Sequence, residues 1–162
     1  MNFNNIFENK TILITGHTGF KGSWLSLWLS SLGANVIGIS DNIPTRPSNF
    51  SILKLDKVVT DIRADICNID LITKVISEQK PDFIFHMAAQ ALVRKSYDDP
   101  ISTIRTNTLG TASLLESIRK SDVDKKLVVS LITSDKVYEN NEWERGYRED
   151  DKLGGHDPYS SS

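Results

Sequence analysis

The sequence predicts an α/β fold, a doubly wound parallel sheet covered by helices on both faces. Short apolar runs alternate with longer stretches of helical spacing along the chain. The runs are apolar at successive positions rather than alternate ones, as strands buried on both faces are. A glycine-rich turn, TGHTGFKG, joins the first run to the first helical stretch, and such folds bind ligands at the carboxyl ends of their strands. With 162 residues, 39% of them hydrophobic, the chain can bury a core as one domain.

The elements follow in order. Thr11–Thr15 (TILIT) and Asn35–Ser40 (NVIGIS) read as buried strands. Between them, residues 21–32 space Trp24, Leu25, Leu27, Trp28, Leu29 and Leu32 into a wide apolar helix face, which Gly33 ends. A third strand is expected over 59–64. Asn68 then caps a helix over 69–79, with Pro81 beyond it. Residues 83–87 (FIFHM) form the fourth strand and 127–133 (LVVSLIT) the fifth. Residues 100–121 read as one long helix with Leu109, Ala112, Leu115 and Ile118 along one side. From Tyr138 the periodicity fades into a long polar loop. Its aromatics Tyr138, Trp143 and Tyr147 favour an ordered loop facing a ligand.

Charge and composition exclude several classes. Nineteen basic against 21 acidic residues give a net charge of −2, without the basic excess a nucleic-acid surface needs. No apolar stretch approaches the roughly 20 residues that cross a bilayer. The amino end has neither the basic start nor the apolar centre of a secretory signal. One cysteine, Cys67, makes no internal disulfide, and three histidines give no metal-ligand spacing. A reducing, cytoplasmic setting is expected.

The glycine turn carries the first chemistry. Gly16 lets the chain leave the strand tightly, Gly19 lets backbone approach a pyrophosphate, and Gly22 lets helix pack close to strand. Thr18, Phe20 and Lys21 lie in the same turn, where N–H groups at a helix start face phosphates. The spacing GxxGxxG resembles the short-chain dehydrogenase/reductase superfamily, and the preceding Thr15 resembles its extended branch. Ser40 and Asp41 end the second strand, where an acid bonds ribose hydroxyls and repels a 2′-phosphate. Asp41 therefore favours NAD over NADP, although Arg46 nearby offers a phosphate partner, and a solvated turn is the competing role for Asp41. Two Asp-Ile pairs compete for the place that lines the adenine pocket in that superfamily. Asp65-Ile66 is preferred to Asp61-Ile62 because a helix cap follows it.

After the fourth strand, small Ala88 and Ala89 leave room for a cofactor and Gln90 supplies an amide. His86 reads as a buried, hydrogen-bonded strand histidine rather than a catalytic one. Arg94 and Tyr97 face a substrate or cap the next helix. Asn107 sits inside a helix, where Asn has no propensity advantage, and resembles the superfamily's helix asparagine. The fifth strand ends in Thr133, at the cofactor side, then Ser134, Asp135 and Lys136. An acid and a cation side by side tune one another's pKa. Tyr159 follows a glycine-rich loop, GGHDPYSSS. In the superfamily a Tyr-x-x-x-Lys pair shares one helix face and the lysine lowers the tyrosine pKa. Here the chain stops where that lysine is expected.

Together GHTGFKGSWLSLWL, HMAAQALVRKSY, TNTLGTASLLE, ITSDKVY and GYRE…GGHDPYSSS resemble the family of CDP-glucose 4,6-dehydratases. TSDK resembles the dehydratase pattern, where epimerases carry small neutral residues at Asp135 and Lys136; Val137 departs from the pattern. The resemblance implies NAD as cofactor, a CDP-glucose substrate, a homo-oligomer built through the 100–121 helix, and no metal. It implies that Tyr159 takes the 4-hydroxyl proton and Ser134 bonds the 4-keto oxygen. It implies Asp135 as acid to the leaving hydroxyl and Lys136 as base, or its helper, at C5. The expected organisation is an incomplete Rossmann-type NAD-binding domain over 1–162, truncated before a carboxyl-terminal substrate domain. As a fragment it is expected to bind NAD weakly without turning over. Another sugar-nucleotide dehydratase, an epimerase, or a non-catalytic NAD-binding module are the rival readings.

Overall fold

The computed structural model describes residues 3–123 and 126–162. Five parallel strands form one sheet: β1 (Thr11–Thr15), β2 (Asn35–Ser40), β3 (Thr60–Arg63), β4 (Phe83–His86) and β5 (Val128–Leu131). Their order is β3-β2-β1-β4-β5, the Rossmann arrangement, with crossover helices on both faces. Thr15 pairs with Ile39 on one side and His86 on the other, so three strands end level and open one shared crevice.

Strand alternation divides the core. Leu13, Ile37, Ile39 and Ile84 point to one face and pack with Ile72, Val75 and Ile76 of α3 (Ile69–Gln79). Leu114 joins them from α6 (Gly110–Lys120). Ile12, Ile14 and Val36 point to the other face and meet Leu29 of α1 (Phe20–Ser31). Asn68 caps α3 by accepting the Leu71 N–H at 3.2 Å, as its position predicts.

The sheet, β1, β2 and α3 match the sequence expectation, whereas the helix faces do not. α1 buries Gly22, Ser23, Ser26 and Leu29 and leaves Trp24 and Trp28 52% and 50% exposed. The helix approaches the sheet too closely for tryptophan, and the buried hydroxyls are satisfied within the helix: Ser23 donates to Phe20 and Ser26 to Gly22. α6 repeats the pattern. It buries Gly110, Ser113, Leu114 and Ser117, while Leu109, Ala112 and Leu115 face outward. The long helix expected over 100–121 runs unbroken over 100–120 but is not α-helical throughout. α5 (Pro100–Ile104) leads into one π-helical turn, Arg105–Leu109, before α6 begins. Two short helices had no periodic signal, α2 (Asn49–Ile52) and α4 (Val93–Asp98). No helix among the described residues is long and apolar enough to cross a membrane.

Candidate active site

The glycine turn forms a cradle at the end of β1. Gly16 has φ +74°, its N–H donates to Ile39 at 2.7 Å, and a Cβ there would lie 2.7 Å from the Met87–Ala88 peptide. Only glycine fits. A Cβ on Gly22 would come within 2.2 Å of the Gly16 carbonyl oxygen, so α1 starts directly against the turn. Gly19 caps α1 with no side-chain partner, and the first-turn N–H groups at Phe20, Lys21 and Gly22 have no acceptor within the helix. Space that a Cβ would fill and backbone donors aimed outward fit a dinucleotide pyrophosphate.

A buried histidine braces this cradle. His17 is fully buried, 2.9 Å from Asp61 and 3.1 Å from the Ser40 hydroxyl, with its ring edge-on to Phe50. Burial holds its imidazole below the ordinary value, against the pull of Asp61. Its ring lies where a Cβ on Gly38 would be, at 2.2 Å, so His17 and Gly38 require each other. Thr18 joins the turn to β2, donating its N–H to Ser40 at 3.4 Å and its hydroxyl to the Asn42 carbonyl at 2.6 Å. Asp41, between them, is exposed.

Both Asp-Ile pairs are engaged. Asp61 bonds His17 and Arg63. Asp65 accepts the Cys67 N–H at 2.9 Å and pairs with Arg105 at 2.6 Å. Against partial desolvation, these donors hold its carboxyl below the usual range. The Ile66 side chain belongs to the core and leaves no room for a Cβ on Gly110, so only its backbone is available to a ligand.

Beyond β4, Ala88 is half-buried and Ala89 exposed. Asn107, on the π turn, clamps Gln90 at two points: it accepts the Gln90 N–H at 2.8 Å and donates to the Gln90 carbonyl at 3.2 Å. Its amide also donates to the Ser162 hydroxyl at 2.8 Å, which in turn donates to the Tyr159 carbonyl. Asn107 thus touches the turn that carries Tyr159.

After β5 and the exposed Thr133, Ser134 caps a 3₁₀ turn over Asp135–Val137 by accepting the Lys136 N–H at 3.2 Å. Lys136 pairs with Asp135 at 3.1 Å and holds its carboxyl below the usual range. Asp135 and Lys136 line one wall of a cavity of about 280 Å³ whose other walls include His156, Asp157 and Ser160. Asp157 accepts the N–H groups of Tyr159 and Ser160 and the Ser160 hydroxyl, fixing the Tyr159 turn. The structure therefore brings the Asp135–Lys136 pair to the segment of Tyr159, and Asn107 reaches that segment from behind. Sequence reasoning missed His17, Asp157 and Thr111, and singled out Thr15 without its bond to His86. Only Asp157 had a readable signal, an Asp-Pro two residues before the tyrosine.

The aromatics of the long loop pack on one another. Tyr138 and Tyr147 stack at 5.2 Å and Trp143 and Tyr147 at 5.8 Å, with Arg145 4.1 Å over Trp143. Tyr138 and Tyr147 also line the cavity. A bridge between Tyr138 and Leu153 closes the loop's base.

The family profile described as GDP-mannose 4,6 dehydratase matches residues 13–162, nearly the whole chain. The chain belongs to that family. It is 49% identical over 158 residues to the CDP-glucose 4,6-dehydratase of Salmonella typhimurium LT2, covering 98% of this chain and 44% of that one. It is 37% identical over 126 residues to the UDP-glucose 4-epimerase of Mycolicibacterium smegmatis, with 78% and 39% covered. Among solved structures, a UDP-glucose 4-epimerase of Stenotrophomonas maltophila with bound NAD superimposes with TM-score 0.82 at 22% identity, covering 94% and 45%. That of Thermus thermophilus in complex with NAD gives 0.77 at 28% identity, covering 93% and 46%. The chain spans less than half the length of these relatives.

Proposed function

We propose that this chain is the cofactor-binding and proton-transfer part of an NAD-dependent dehydratase that converts CDP-glucose to CDP-4-keto-6-deoxyglucose. One observation carries the reading. Asp135 and Lys136, which follow Ser134 beyond β5, line a cavity together with Asp157 and Ser160, residues of the turn that carries Tyr159. The likeness to the Salmonella enzyme supports the choice of base and sugar. The glycine cradle and the NAD-bound structural relatives support NAD.

When bound, NAD supplies reversible hydride acceptance. Tyr159 takes the proton of the glucose 4-hydroxyl, and Ser134 donates to the new 4-keto oxygen. The ketone acidifies C5. Lys136 then removes the C5 proton and Asp135 protonates the departing 6-hydroxyl. In water the Asp135–Lys136 pair is ionic, with Asp135 79% exposed. The elimination leaves the pair in its ionic form: the C5 proton ends on Lys136, the proton given to the leaving hydroxyl comes from Asp135, and the two groups stand 3.1 Å apart.

The test incubates the intact protein and NAD with CDP-glucose, dTDP-glucose and GDP-mannose. A 4-keto-6-deoxy product from CDP-glucose alone is expected. An epimerised product, or turnover of another base, overturns the reading. Tyr159→Phe, Asp135→Asn and Lys136→Met should each lower turnover by about 10²–10⁴, the usual worth of positioned acid–base groups. The outward Leu109 of the π turn and Leu115 of α6 are assigned in the same proposal to a second copy of the chain. Leu115→Lys should then shift size-exclusion elution to the monomer.

A further inference from the structure

One buried titratable group, His86, takes no part in the proton transfers above. It is the last residue of β4, 3% exposed, and sits between the glycine turn and the π turn. Its Nδ1 lies 2.7 Å from the Thr15 hydroxyl and its Nε2 lies 2.9 Å from the Thr111 hydroxyl.

The direction of every proton in this chain follows from donor and acceptor accounting. Thr15 Oγ1 already accepts the N–H groups of Met87 at 3.1 Å and Ala88 at 3.2 Å. Its own proton therefore goes to His86 Nδ1. At the other end the Thr111 hydroxyl donates to the Asn107 carbonyl at 2.6 Å, so it accepts from His86 Nε2–H. The Asn107 carbonyl, on the π turn, accepts the Gly110 N–H, and this hydroxyl gives it a second donor. Only the neutral Nε2–H tautomer satisfies both ends; a second proton on Nδ1 would face the hydroxyl proton of Thr15.

We infer that His86 is a positioning residue, a neutral Nε2–H imidazole that, through Thr111, fixes Asn107 against Gln90 and Ser162. The relay runs from the end of β1 through β4 into the π turn, and its last member sets where the Asn107 amide stands. Burial pushes the imidazole down to about 4, which keeps it neutral through the physiological range. Loss of the hydroxyl leaves the Asn107 carbonyl only its Gly110 N–H donor, loss of the imidazole leaves that hydroxyl without the group that orients it, and either change loosens the side-chain clamp. The consequence for cofactor affinity rests on the reading that this chain binds NAD; the geometry of Asn107 does not.

Nitrogen NMR and NAD titration of the intact protein test this. Thr111→Val removes one hydroxyl and keeps the shape. His86→Leu removes both bonds, and His86→Gln keeps an acceptor and a donor. At about pH 7 the wild type should show His86 as Nε2–H and a dispersed, slowly exchanging Asn107 side-chain amide. Thr111→Val and His86→Leu should speed that exchange and weaken NAD by about tenfold each, while combining them adds little. His86→Gln should restore most of both. An Nδ1–H or charged His86, or an unchanged Asn107 amide in a folded Thr111→Val variant, overturns the proposal. A wild type that fails to bind NAD overturns the NAD reading, and the Asn107 amide still decides the role of His86.

Discussion

At the scale of single residues, the site is set by close approaches that leave no freedom. Gly38 exists because the His17 ring occupies the place of its Cβ. Gly38→Ala should lower the unfolding free energy by about 2 kcal/mol or more, since neither a buried ring nor a central strand can yield cheaply. Denaturant unfolding measures it. Gly16→Ala adds a positive-φ strain to its collision with the Met87–Ala88 peptide, and should remove dinucleotide binding along with stability. The buried histidines set a pH dependence. An unfolded chain protonates His86 near 6.5, whereas the native protein refuses that proton until about 4. This stability is therefore complete above 6.5 and is lost as pH falls toward 4, by up to about 3 kcal/mol. His17, also lowered, works in the same direction. Unfolding midpoints measured between about pH 7.5 and 5 should fall, and His86→Gln should flatten part of that slope.

At the scale of elements, α1 and α6 each turn three small residues and one leucine to the sheet and set larger apolar residues outward, whereas α3 buries Ile72, Val75 and Ile76. Spacing alone assigned the faces by hydrophobicity, which placed Leu25, Leu29 and Ile118 correctly but misplaced Trp24, Trp28 and Leu115, because hydropathy ranks tryptophan above serine. Distance decides instead. A serine that donates to its own helix carbonyl costs little to bury, and it lets backbone approach backbone. Ser26→Leu should then destabilise by about 1–3 kcal/mol through overpacking, while Trp24→Gln should cost under about 1 kcal/mol. Thermal unfolding separates the two. The aromatic loop is held by stacking rather than by a ladder. Tyr147 contacts both Tyr138 and Trp143, and its hydroxyl accepts the Asn141 N–H at 2.8 Å. Tyr147→Ala should open the loop to limited proteolysis between Asn140 and Arg148, with little change in the global unfolding midpoint.

At the scale of the whole molecule, the sheet gathers ligand-facing groups from distant stretches of chain onto one crevice. A ligand that binds only the folded state should raise stability by about 2.7 kcal/mol at 100 times its dissociation constant. Added NAD should therefore raise the melting temperature, and a Gly16→Ala variant should not respond. The architecture was readable because it is local. A run such as TILIT can only be a buried strand, and the Asn68 cap fixes where α3 starts. The glycine turn was readable for the same reason, since its three glycines and the helix after them are contiguous. Asp135 and Lys136 were legible as a pair but not as a cavity wall. The sequence by itself thus determined the order of strands and helices and the glycine cradle, and it supplied the residues proposed to react. Tertiary structure alone decided which helix faces are buried and that His17 supports Ser40 and Asp61. It also decided that His86 joins Thr15 to Asn107 across 92 positions of chain. Contacts of that kind depend on how strands stack side by side and how near helices approach them, and no local pattern encodes either distance.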